Sequence, residues 1–137
     1  MSESSPKVNS GKKYFIRPDD VPPYHPANHS GTTNRRVICA ETVGAQRMEV
    51  LLGTVERGQG ALPHLHPHIE QCCYIISGRA RVEVGNQSSE LGPGDFCFFP
   101  PGEKHLLVSV ADEPLQVLVI YSPPYRENPL EVVRFNG

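Results

Sequence analysis

The chain has 137 residues, enough for one domain with a real hydrophobic core. Its net charge of -2 and pI near 6.3 give no basic excess for nucleic acid and no lysine-rich block for a membrane surface. No apolar run approaches the roughly 20 residues that cross a bilayer, so a cytoplasmic protein is expected.

Residues 1–11 read as a disordered, solvated leader without the shape of a signal peptide. KKYFIR (12–17) is strand-like, and a proline-rich loop over 18–34 follows. Strands are expected at 35–43 and 46–56, then at QCCYIIS (71–77) and RARVEV (79–84). DFCFF (95–99), HLLVSV (105–110) and LQVLVIY (115–121) complete the series. Turn chemistry separates them, including Gly85-Asn86 and Gly92-Pro93-Gly94-Asp95. With 12 glycines and 14 prolines, and no sustained 3.6-residue apolar period, the pattern predicts an antiparallel sandwich or barrel. In RARVEV, Ala80, Val82 and Val84 share the face expected to be buried. The tail from Ser122 has three prolines and is expected to pack across the outside or along a partner.

The four cysteines, Cys39, Cys72, Cys73 and Cys97, lie in apolar runs without a CxxC and read as buried free thiols. Phe96, Phe98 and Phe99 read as core. His25 and His29 read as solvated loop residues, although so long a loop can also cover a pocket. Glu103 reads as a solvated turn charge. Arg35, Arg36 and Arg47 are open between wall ion pairs and an anionic substrate.

The chemistry concentrates in LPHLHPHIEQ (62–71), which holds three of the six histidines at alternate positions. In a strand, residues two apart share a face, so His64 and His66 point together, and His68 joins them where the strand continues. Converging imidazoles suit a divalent metal, and Pro63 and Pro67 stiffen the backbone around the first two. An exposed stripe without a ligand role is the alternative on this motif alone.

The wider spacing decides. Gly58 is followed by five residues, His64-Leu65-His66, four residues, Gln71, six residues and Gly78. Fifteen residues on comes Gly94, then five residues, Pro100-Pro101-Gly102, two residues and His105. This resembles the two motifs of the cupin superfamily, G-x5-HxH-x(3,4)-E-x6-G and G-x5-PxG-x2-H-x3-N. The resemblance covers 58–109 and implies a single-domain jelly-roll β-barrel over 12–137. It also implies a metal held by His64, His66, the residue in the glutamate position, and His105. Six residues back from Gly78 that residue is Gln71, with Glu70 one place early as the alternate. The final asparagine of the second motif is Ser109 here.

Glutamine for glutamate leaves the full charge on the metal and makes it a stronger Lewis acid. The set resembles small polyketide-cyclase-like cupins, in which glutamine joins several histidines; His68 is then either a further ligand or a rim residue. Imidazole donors favour zinc first, with iron(II), nickel or manganese as alternatives. Strand alternation carries Cys73 and Ile75 inward with Gln71, and Leu107 and Ser109 inward with His105, so these four are expected to line the pocket. The expected function is a small metal-dependent enzyme, a cyclase, isomerase or dioxygenase. Its substrate is a small apolar or aromatic, polyketide-like carbonyl or enol compound. The alternative is a non-catalytic metal-bearing module that binds or senses a small ligand. A homodimer is expected, because KKYFIR and the apolar tail residues Leu130, Val132, Val133 and Phe135 exceed what one barrel absorbs.

Overall fold

The computed structural model describes residues 14–135. The expected leader, 1–11, and the first two residues of KKYFIR lie outside them. Among the described residues, eleven strands form one antiparallel sheet that wraps into a nearly closed jelly-roll barrel. They are β1 (Pro23–Tyr24), β2 (His29–Ile38), β3 (Glu49–Ala61), β4 (His64–Leu65), β5 (Glu70–Ser77), β6 (Ala80–Val84), β7 (Gln87–Leu91), β8 (Phe96–Phe99), β9 (His105–Ser109), β10 (Leu115–Ser122) and β11 (Val133–Arg134).

One wall runs β2-β3-β10-β5-β8, and β7-β6-β9 forms much of the other. Long β3 joins them: it pairs with β2 and β10, and its far end crosses to β9 at Gly60 opposite Val108. That crossing needs glycine, because a Cβ on Gly60 would stand 2.2 Å from the Leu107 carbonyl oxygen. Alternation then fills the barrel. Leu51 and Val55 from β3, Ile75 from β5, Val82 from β6, Phe99 from β8, and Leu115 and Val117 from β10 make one continuous core. Burying an aliphatic side chain as fully as Ile75 contributes about 1.5–3 kcal/mol.

Several expectations change. β2 ends at Ile38, Cys39 stands at the N-cap, and Ala40–Val43 forms one helical turn rather than strand, closed by Gly44 in the left-handed conformation. The proline-rich loop contains β1 and the first half of β2, which is polar because it meets the pocket rather than the core. Polar QSSEL forms β7, a solvated strand paired only with β6 among the described residues. Tyr14–Arg17 form no strand, and Phe15 is 85 % exposed. Only Phe99 of the three phenylalanines is core. Phe96 and Phe98 alternate to the outside of β8 at 70 % and 50 % exposure.

The tail folds back on its own barrel. It leaves β10 through a cis Ser122–Pro123 bond, buries Tyr125, packs Val132 on the core and pairs β11 with β4. No helix among the described residues is long and apolar enough to cross a membrane.

Candidate metal centre

β4 and β9 pair so that His64 stands opposite His105. His66 follows the end of β4 and turns inward beneath the tail. The three ring centroids lie 4.4 Å (His64–His105), 5.1 Å (His64–His66) and 5.7 Å (His66–His105) apart. One ring nitrogen from each falls within 4.8 Å of the other two, so the three histidines are positioned to bind a metal ion.

The second nitrogens fix which atoms face inward. His64 Nδ1 meets the Leu62 carbonyl at 2.8 Å, His66 Nδ1 the Glu131 carbonyl at 2.8 Å, and His105 Nδ1 the Glu103 carbonyl at 3.1 Å. A carbonyl only accepts, so each Nδ1 carries the proton and each Nε2 presents a lone pair. Nε2 of His66 and of His105 is buried without a hydrogen-bond partner. Orphaned buried acceptors are costly and need an explanation, and a metal cation supplies one.

Packing holds the rings. Phe99 stacks flat on His105 at 4.0 Å, and Tyr125 meets His66 edge-on at 4.6 Å. Burial lowers the His66 pKa to about 4 and that of His105 to about 3, and it also lowers that of His64. All three are therefore neutral at pH 7, the form that coordinates metals.

Gln71 is the second residue of β5, with its side chain buried, and its Oε1 is another buried atom without a partner. Its Nε2 reaches Cys73 Sγ at 3.7 Å. Glu70, one residue earlier, alternates outward and is exposed. His68 is also outside: its side chain is 75 % exposed, with Nδ1 3.3 Å from Glu131 Oε1.

The chamber beside the triad has a volume of about 50 Å³. Cys73 and Leu107 line it. Ile75 and Ser109 do not; both are fully buried in the core. A hydrogen bond with Cys97, directly opposite across the β5–β8 pair, and then burial raise the Cys73 pKa and keep the thiol protonated. The four thiols are free, Cys39 and Cys73 buried, Cys72 and Cys97 only partly so.

His29 changes its expected role. It is half-buried, lines the chamber, and its ring lies 6.2 Å from that of His64. Burial lowers its pKa to about 4. A register shift between Ser30 and Thr32, around left-handed Gly31, brings His29 into phase with inward Thr32 and Asn34. Strict alternation would have placed it with outward Thr33. His25 is exposed, with Nδ1 3.0 Å from the Thr32 carbonyl.

Arg35 donates to the Val21 and Pro18 carbonyls, and Arg36 lies 3.8 Å from Glu49 and over the Tyr24 ring. Arg47 and Glu103 are exposed. Sequence reasoning also misses Tyr121, Glu127 and Arg134, which with His29 and His64 line a crevice of about 20 Å³ at the chamber's edge. Nothing local marks them, because the folded-back tail delivers two of the three.

Comparison with known proteins agrees with this fold. The uncharacterized protein MJ1618 of Methanocaldococcus jannaschii is 25% identical over 84% of this chain and 90% of its own length. Polyketide synthase CurC of Streptomyces cyaneus is 26% identical over 76% of this chain and 68% of its own. The polyketide cyclase RemF from Streptomyces resistomycificus superposes with a TM-score of 0.71 at 24% identity, covering 82% of this chain and 80% of that one. The Cupin domain family model matches residues 51–121, from β3 through β10 and across all three clustered histidines, and the chain belongs to the cupin family.

Proposed function

We propose that this cupin is a small metal-dependent enzyme. His64, His66 and His105 would hold one divalent ion through Nε2, with Gln71 Oε1 completing the set. The observation that carries this reading is the set of buried, partnerless acceptors, with each histidine's Nδ1 proton committed to a backbone carbonyl. Three imidazoles and an amide suit zinc first, then iron(II), nickel or manganese. A bound ion would supply a Lewis acid for a carbonyl or enol oxygen.

The chain's own residues set the rest. Neutral donors leave the ion's charge uncompensated, Phe99 and Tyr125 hold the imidazoles in place, and Leu107, Val117 and Val119 keep the chamber apolar. Cyclisation, isomerisation and dioxygen chemistry all fit such a site. A chamber of about 50 Å³ favours a small substrate; an aromatic, polyketide-like one requires the β2 residues that line it to move. The same small chamber favours a second reading, a metal-bearing module that binds a small ligand without turnover.

The test is elemental analysis of the purified protein, then turnover assays on small enolisable carbonyl compounds with the metal-loaded form. One bound ion with turnover supports the enzyme, one bound ion with binding alone supports the module, and no bound ion overturns both.

We also propose a homodimer, on a different surface from the one the sequence suggested. The outside of β8-β5-β10 presents Phe96, Phe98, Cys72, Tyr74, Leu118 and Ile120. A two-fold partner would cover this apolar face. Light scattering should give twice the chain mass, and Phe96→Asp should reduce it to the monomer; a wild-type monomer at high micromolar concentration overturns the idea. Four free thiols fit a reducing compartment such as the cytoplasm.

A further inference from the structure

Arg134 is a fixed positive charge placed beside a cation site. Strand pairing sets it directly opposite His64, and it lines the outer crevice with His29, His64, Tyr121, Tyr125 and Glu127. Its charge acts on His29, His64, His66 and Tyr125 together. Among the described residues no carboxylate forms an ion pair with it; the ion pairs there belong to Arg36, Arg57, His68, Arg79 and Arg81. The one carboxylate in the crevice, Glu127, feels the charge of Arg134 without forming an ion pair with it and accepts a hydrogen bond from Tyr24 Oη at 3.3 Å.

An arginine next to three neutral imidazoles and a neutral amide is electrostatically unfavourable once a divalent cation joins them. An anion between the two charges removes the conflict. A guanidinium also offers a forked pair of donors that matches a carboxylate.

We propose, resting on the metal reading above, that the ligand is a small carboxylate-bearing carbonyl or enol compound of the 2-oxo acid type. Its carboxylate pairs with Arg134 in the crevice, and its carbonyl or enol oxygen faces the triad. Glu127, half-buried on left-handed backbone (φ 53°), also lines the crevice.

The test uses full-length protein loaded with zinc, its zinc content measured first for each variant. Binding of pyruvate and of its neutral isostere pyruvamide is then measured by calorimetry, with oxalate as a doubly charged analogue. Pyruvate and oxalate should bind at least about tenfold more tightly than pyruvamide. Arg134→Gln should lose about tenfold or more for the anions and leave pyruvamide within about twofold. Arg134→Lys keeps the charge without the fork and should fall between, so the result does not depend on how well one variant folds. One zinc bound with no preference for the anions, or with neither anion bound by the wild type, overturns this proposal alone. Absence of bound zinc overturns the metal reading and this proposal with it.

Discussion

His66 and His68 sit two residues apart in one alternating stripe, yet they occupy opposite environments. His66 is 2 % exposed, with Nδ1 on the Glu131 carbonyl; His68 is 75 % exposed in its side chain and meets the Glu131 carboxylate. The same tail residue thus anchors one histidine through its backbone and the other through its side chain. The difference comes from where the strand stops. β4 ends at Leu65, so alternation no longer governs the chain when it reaches His68. Sharing a face requires a strand, and spacing alone does not supply one.

The largest expected effect breaks the pair apart. His66→Ala or His105→Ala should weaken zinc binding by about 100-fold or more, while His68→Ala should leave it within about twofold, as read by competition with a chromophoric chelator. Equal losses at His66 and His68 would show that the tail does not separate them.

Next in size is acid sensitivity of the metal-free protein. The folded-state pKa values of His29 (about 4), His66 (about 4) and His105 (about 3) lie below the ordinary 6.5. Below pH 6.5 the unfolded chain therefore binds protons that the folded chain refuses. These groups contribute stability that is fully present above 6.5 and is lost as the pH falls toward 4 and then 3. Denaturant midpoints should drop across that window, and the drop should be shallower in His105→Gln. A midpoint that is flat from pH 7 to 4 would contradict the enclosure of these rings.

A smaller contrast lies between Gln71 and Glu70. Gln71→Ala should weaken zinc binding by about tenfold and Glu70→Ala should not change it, because β5 turns the amide in and the carboxylate out. The reverse outcome would shift the register of β5 by one residue. Smallest is the thiol count. Four thiols should titrate after non-reducing unfolding, and two missing would contradict the free thiols of the structure.

Much of this was legible in the sequence. Two spaced motifs give the barrel, the three clustered histidines and the inward register of Gln71. Short apolar runs between turns give β5, β6, β8, β9 and β10 to within a residue or two. What stayed hidden depends on contacts distant in sequence or on broken alternation. His29 enters through a bulge at Gly31 that no local apolar pattern marks. Glu127 and Arg134 arrive because the tail crosses back to β4, where strand-like residues behind three prolines read equally well as a partner's strand. β7 is polar on both faces and carries no signal beyond its turn. Phe96 and Phe98 read as core by residue type, and their alternation with core residue Phe99 and half-buried Cys97 puts them outside.

Metal binding as proposed requires that Nε2 of His64, His66 and His105 face one position while Nδ1 of each stays protonated. Long-range proton–nitrogen NMR of the imidazoles during zinc titration tests it most directly. Neutral Nδ1–H tautomers are expected in the metal-free protein at pH 7. One equivalent of zinc should then shift the three Nε2 signals together and leave His25 and His68 unmoved. Zinc that shifts His25 or His68 and not the triad, or that shifts none of the six, would contradict it.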